Sequence, residues 1–212
     1  KADFERKNRR RLFARIGSSD FDMVIIGHSS FGFIDLDPAT EERYLMEELA
    51  SAQKAIEDAA AAAAESGMGG GRKPIGVAEA ERLVKKIEQR LERLRSGKRD
   101  RLLTFEEMGI DDLTIDEAHE FKNLAYSSRL ANVSGMGNKT GSQKAMDLHL
   151  KVRSLAEREG TSVAFLTGTP ISNRMVELYT MQRFLDPEGP RSRGIEHFDA
   201  WAAPFGEVVD TM

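Results

Sequence analysis

Cysteine is missing from all 212 residues, which excludes a disulfide scaffold, a thiolate zinc site and a cysteine nucleophile. No apolar run approaches the ~18–20 residues that a membrane-spanning helix needs, so no membrane partner is expected. The first residues, KADFERKNRRRLF, contain no apolar core of the kind a secretory signal carries, and the expected location is cytoplasmic. A formal net charge of −4 gives no overall pull toward nucleic acid, though a local basic patch stays open. Hydrophobic residues at 40% and charged residues at 31% fit a folded, water-soluble domain rather than a disordered chain. The length suits one domain, or one domain with a helical appendage. The chain opens on Lys and closes without a terminal signal, so the expectation is a piece of a longer protein.

Three short apolar runs read as buried strands: Asp22–Ile26, Leu113–Ile115 and Ser162–Leu166. Runs apolar on both faces fit a parallel sheet covered by helices, and helical patterns after the second and third argue for βα units in an α/β fold. From Glu41 to Glu65 there is no Gly or Pro, and Leu45, Leu49, Ala52, Ile56, Ala59 and Ala63 recur at heptad spacing. Gly67, Gly69, Gly70, Gly71 and Pro74 interrupt the pattern. A second stripe, Ala80, Leu83, Ile87, Leu91 and Leu94, runs to Ser96-Gly97. The pair reads as an antiparallel helical hairpin projecting from the α/β body, serving either as a rigid insertion packed on its own seam or as a clamp that docks a partner. Ser134–Ser142 reads as a mobile loop. Beyond Gly189 the pattern weakens, and Phe198, Trp201 and Phe205 are expected to pack back on the body or on another domain. No internal repeat is visible.

The strongest chemical signal is Leu113-Thr-Ile-Asp-Glu-Ala-His119, a strand running straight into two carboxylates. Asp116 and Glu117 would sit at the carboxyl edge of a parallel sheet, where open α/β folds bind ligands. Two acids there can divide nucleotide hydrolysis, one holding Mg²⁺ through water and the other orienting and deprotonating the attacking water. Alone, such a pair is also what a helix N-terminus looks like. The second signal, Ser162-Val-Ala-Phe-Leu-Thr-Gly-Thr-Pro-Ile-Ser-Asn173, is another strand ending in a hydroxyl-rich turn. There Thr167 and Thr169 offer hydroxyls and Gly168 lets a backbone approach closely. Right-handed crossovers would place both strand ends on one sheet edge, where together they can form one site.

IDEAHEFKN at 115–123, LTGTPISN at 166–173 and MVELYTMQRFLDP at 175–187 resemble motifs II and III of Swi/Snf-type helicase-like ATPases of helicase superfamily two. The likeness is greatest to the helicase part of large phage and mobile-element methylase–helicase chains. The resemblance implies a partial RecA-like parallel sheet with helices on both faces, plus the inserted antiparallel hairpin. It further implies ATP and Mg²⁺ as cofactors, and DNA, in double-stranded form, as partner. Asp116 would help bind Mg²⁺ and Glu117 would be the general base. His119 and the Thr167-Gly168-Thr169 turn would couple nucleotide state to domain movement. Contacts to DNA would come from His28, Ser29 and Ser30 (whose letters differ from the family's motif there) and from Lys122, Asn123 and Asn173.

The phosphate-binding loop that the family needs, G-x-x-x-x-G-K-[ST], does not occur in the sequence. Gly135-Met-Gly-Asn-Lys-Thr140 fails as a substitute, because Asn138 separates Gly137 from Lys139 and no strand leads into it. The second RecA-like lobe is also missing, so this piece alone is expected not to hydrolyse ATP. The expected divisions are 1–40, the start of the lobe with a basic segment; 41–99, the hairpin; 100–190, the lobe with motifs II and III; and 191–212, a tail toward the second lobe. His119-Glu120-Phe-Lys-Asn123 has Asn where the zinc motif H-E-x-x-H requires its second His, and His28, His149 and His197 are scattered, so no protein-ligated metal centre is read from them. Arg6–Arg11 is a basic run that could track phosphates or lie solvated. The competing reading is a non-hydrolysing scaffold or interaction module that keeps the motor's fold.

Overall fold

The computed structural model describes residues 5–65, 77–97, 102–128, 136, 139–172 and 174–204. Two strands, β1 (Asp112–Ile115) and β2 (Ser162–Phe165), form a parallel pair in register, with Ile115 opposite Phe165. The crossover between them carries the helix Gln143–Ala156. In chain order the helices are α1 (Arg6–Ser18), α2 (His28–Phe31), α3 (Pro38–Glu65), α4 (Val77–Arg95), α5 (Gln143–Ala156), α6 (Met175–Leu185), α7 (Glu188–Ser192) and α8 (Phe198–Ala202), with a 3₁₀ turn at Ala118–Phe121.

Helix α5 is the central piece. Ser142 caps it, its hydroxyl accepting from the Ala145 amide at 3.1 Å. Ala145, Met146, Leu148, Leu150, Val152 and Leu155 are all buried, so the helix is covered on nearly every side. It also buries Lys151 completely, and the ammonium is satisfied by the Phe31 carbonyl at 3.0 Å, Asp147 at 2.6 Å and the Phe31 ring at 4.3 Å. One core gathers Phe13, Ile34, Leu36, Tyr44, Leu45, Leu83, Ile87, Phe105, Ile115, Phe121 and Phe184 around α5. The sheet presents Leu113, Ile115, Val163 and Phe165 to that core, while Thr114, Ala164 and Leu166 face outward and are exposed. Among the described residues only one sheet face is therefore covered, where burial of both was expected.

The run Asp22–Ile26 corrects the strand expected there. It pairs with no strand, and Met23 and Ile25 are 74% and 87% exposed. A β-branched run favours extended backbone, but a strand exists only where an edge takes its hydrogen bonds, and no neighbour among the described residues supplies one.

α3 and α4 pack antiparallel, since the start of α3 meets the end of α4 through Glu41–Arg90 at 2.7 Å and Glu42–Arg95 at 2.7 Å. Leu45, Ala52, Ala59, Leu83, Ile87, Leu91 and Leu94 are buried along the seam. The Gly-rich connection and Ala63's side chain lie outside the described residues. The pair does not stand off from the body as a separate arm. Tyr44 and Leu45 belong to the shared core, Arg90 also reaches Asp147 of α5 at 3.5 Å, and Arg183 of α6 pairs with Glu48 of α3 at 3.2 Å.

A second cluster joins Tyr126, Met136, Val176, Tyr179, Phe198, Trp201 and Ala202, so Phe198 and Trp201 do pack on the body. The Trp201 indole N–H donates to Gln182 at 2.8 Å. Phe205 lies outside the described residues. The basic run occupies α1, where the Arg9 guanidinium lies 3.9 Å from the Phe33 ring centroid.

Replacing residues 41–96 with a short Gly/Ser linker is expected to abolish cooperative thermal unfolding, because the cut passes through the common core. A wild-type transition in that variant would show the helix pair to be independent. The buried charges set a pH dependence as well. Burial alone would raise the Glu48 carboxyl, but Arg183, the His149 hydrogen bond and Arg153 hold it well below the usual carboxylate range. Burial holds the His149 imidazole below its ordinary value, with the Glu48 hydrogen bond opposing. In both cases the unfolded chain takes up protons first. The melting temperature is expected to fall as pH drops below the ordinary imidazole value of 6.5, and further below the carboxyl value of 4.5. His149→Asn should flatten the upper part of that profile; an unchanged profile would remove His149 as its source.

Candidate functional site

β1 ends at Ile115 and the chain turns at once. The Glu117 amide donates to Asp116 Oδ1 at 2.9 Å, and Glu117 itself adopts φ 50°, ψ 45°. A left-handed conformation in a residue with a side chain carries strain of about 1–3 kcal/mol and persists only where its surroundings enforce it. Here the ladder enforces it from both sides. The Leu166 amide donates to the Ile115 carbonyl at 2.8 Å, and the Ala118 amide returns a bond to the Leu166 carbonyl at 3.0 Å. The pairing thus runs one step past each strand and locks the acidic turn to the start of the threonine turn.

His119 connects the two chemically. Its Nδ1 lies 3.2 Å from Thr167 Oγ1 and 3.2 Å from Glu117 Oε2. The Thr167 hydroxyl can donate or accept, so it pairs with Nδ1 in either tautomer. Thr167 Oγ1 also accepts the Thr169 amide at 3.2 Å, which closes the Thr167-Gly168-Thr169 turn on itself. Glu117 is 61% exposed and His119 30%. One Glu117 oxygen lies beside the imidazole and the carboxylate faces open solvent.

The segment before α2 reaches the same turn. His28 Nε2–H donates to the Asp116 carbonyl at 2.9 Å, so Nδ1 is the acceptor for Lys144 Nζ at 3.4 Å. The His28 ring stands edge-on to Phe121, with centroids 4.9 Å apart. Lys144 also binds Glu120 at 3.2 Å, which lowers the Glu120 carboxyl below its ordinary value. Ser29 is exposed and Ser30 half-buried. Together with Arg90, Arg93, Gln143, Lys144 and Asp147, His28 and Ser29 line a cleft of about 360 Å³.

Of the other expected site residues, Lys122 binds the Ser172 hydroxyl at 2.6 Å and Glu177 at 3.1 Å. Asn123 is exposed, and its carbonyl accepts the Ser142 amide at 2.7 Å. Asn173 lies outside the described residues. The structure thus gathers Asp116, Glu117, His119, Thr167, Gly168, Thr169 and His28 around one sheet edge. Two residues that the sequence reading passed over also belong here: Lys144, which no local pattern marks, and Glu177, an acid in the first turn of α6.

Gly141 holds the segment behind the acidic turn. It has φ 60°, and a Cβ built on it would stand 2.3 Å from the Ala125 amide nitrogen. Residues 123–126 and 139–142 are tied by the Ser142 amide to Asn123 and by the Tyr126 amide to the Lys139 carbonyl at 3.0 Å.

A family described as "Probable helicase domain" matches residues 1–210. The chain belongs to this family. Its role is therefore helicase-related. Over 107 residues the chain is 29% identical to the Defense against restriction protein B of Escherichia phage P1, a stretch that covers 49% of this chain and 5% of that protein. The chain thus spans a small fraction of the length of the curated relative it matches. No solved structure matches. Among the described residues no helix of this helicase domain is long and apolar enough to cross a membrane.

Gly141→Ala is expected to destabilise the domain by more than about 2 kcal/mol, since both a strained φ and a backbone clash result. Urea denaturation would check this, and a midpoint unchanged from wild type would mean that the 139–142 segment does not pack against Ala125.

Proposed function

We propose that this chain is part of the motor of an ATP-dependent DNA helicase or translocase of the Swi/Snf type, with Asp116-Glu117-Ala118-His119 as its DEAH box. In this reading the two paired strands belong to the later part of a first RecA-like lobe, and α3 and α4 are an insertion into it. The observation that carries the reading is the His119–Thr167 hydrogen bond at 3.2 Å. It joins the acidic and threonine turns, which lie about fifty residues apart in sequence, at the edge where open α/β sheets bind ligands. The phage relative agrees in kind with a mobile-element origin.

The donor chemistry fits ATP with Mg²⁺. Asp116 offers a hard carboxylate oxygen beside a second carboxylate, and hard oxygens are what Mg²⁺ selects. A bound Mg²⁺ would neutralise charge on the nucleotide phosphates. The residues of this chain do the rest. Asp116 would hold the ion. Glu117, with one oxygen beside His119, uses the other to accept a proton from the attacking water. His119 and Thr167 pass any shift of Glu117 to the 167–169 turn.

Double-stranded DNA is the proposed track. Ser29 and Asn123 are exposed and would meet it, and His28 donates to the Asp116 carbonyl nearby. A phosphate-binding loop and a second lobe are needed from elsewhere in the same protein, so hydrolysis is expected of the complete gene product and not of residues 1–212 alone. A cytoplasmic location would follow from a DNA track.

Glu117→Gln in the complete gene product is expected to retain ATP binding and to lose DNA-stimulated hydrolysis by about 100-fold or more. Undiminished turnover would sink the general-base assignment. If the unsubstituted protein shows no ATP turnover with DNA, the scaffold reading takes over.

A further inference from the structure

Glu177 is 3% exposed and lies in the first turn of α6, where a carboxylate complements the helix dipole. One oxygen, Oε2, accepts the Ser172 amide at 2.6 Å. That contact alone would be ordinary capping of the helix entry. The other oxygen does something different. Oε1 lies 3.1 Å from Lys122 Nζ, and Lys122 in turn donates to the Ser172 hydroxyl at 2.6 Å.

These three residues come from three places. Lys122 follows the 3₁₀ turn that carries His119, Ser172 ends the turn that begins at Thr167, and Glu177 stands on α6. Their contacts close a triangle around one nearly buried carboxylate. The Lys122 side chain is only 24% exposed, so the pair is shielded from salt and its geometry is well defined. Removing the Lys122 ammonium would take this cation from a nearly buried carboxylate that keeps the Ser172 amide. Beyond the ladder, the acidic and threonine turns are therefore joined by side chains at two points, His119–Thr167 at the sheet edge and this triangle some residues further along each loop.

We propose that Glu177 is a positioning residue for the motor, holding Lys122 and Ser172 so that the loops after β1 and β2 move as one body. This inference rests on the ATPase reading above. Glu177 touches no reacting atom; it acts through the two loops. Lys122, predicted as a DNA contact, serves here as the latch between them.

The test uses the complete gene product with Glu177→Gln, Lys122→Met and the double substitution. Hydrogen exchange at the Ser172 amide reads the latch without reference to activity, and about tenfold faster exchange is expected in each single variant. DNA-stimulated kcat should fall about tenfold with KM for ATP within about threefold. The double variant should be no worse than the poorer single by more than about threefold, because one unit has been broken once. Lys122→Arg, which keeps the charge and reach, should restore most of kcat. Faster exchange with unchanged kcat in both single variants would reduce Glu177 to a helix cap and overturn the proposal, as would wild-type exchange at Ser172. If the unsubstituted protein has no DNA-stimulated ATP turnover, the motor reading fails and takes the coupling role with it, while exchange still reports the latch. Should Glu177→Gln fail to fold, Lys122→Met and Ser172→Ala probe the same triangle from its more exposed side.

Discussion

The parallel pairing of Asp112–Ile115 with Ser162–Phe165 is the constraint on which the site depends. Its register is set by side chains: Ile115 and Phe165 stand opposite each other and both face the core. A slip by one residue would turn Ile115 outward and bring exposed Thr114 or Ala164 inward. Because the ladder continues through Leu166 to Ala118, the register fixes the acidic and threonine turns relative to each other. The left-handed Glu117 and the His119–Thr167 bond both follow from that alignment.

Charge is the second organising feature. Glu41 with Arg90, Arg90 with Asp147, and Glu48 with Arg183 bind α3, α4, α5 and α6 to one another with little exposure to water. Such pairs add little net stability once desolvation is counted, but each tolerates only one arrangement of its helices. His149 shows the limit of this arrangement. Its Nε2 lies 3.5 Å from Glu48, and its Nδ1 is buried with no partner, which fits a neutral imidazole donating through Nε2. The α3–α4 pair is held by these ties as much as by its seam, so it forms part of the body.

The helical spans were legible because heptad spacing needs no knowledge of the rest of the chain. Leu45, Ala52, Leu83, Ile87, Leu91 and Leu94 stand on the buried seam as their spacing requires. The strands at 112–115 and 162–165 were legible for a similar reason, being short β-branched or aromatic runs ending in polar turns. Asp22–Ile26 has the same local pattern and forms no strand, because strand formation depends on a partner edge that local pattern does not contain. Lys144, Lys151 and Glu177 could not be found as site or core residues by spacing, since Glu120, the Phe31 carbonyl and Lys122, the distant partners that place them, lie 24, 120 and 55 residues away.

The sequence by itself determined the local terms: which stretches coil, which extend, and that two strand ends carry acids and hydroxyls. Those terms depend on neighbours a few residues apart, where chain connectivity already fixes distance. Tertiary structure alone decided that His119 meets Thr167, that Glu177 gathers Lys122 and Ser172, and that the helix pair joins the common core. Those outcomes depend on charges and hydroxyls finding partners after burial removes water as the alternative. That selection is made between whole packings, and no run of neighbouring residues encodes it.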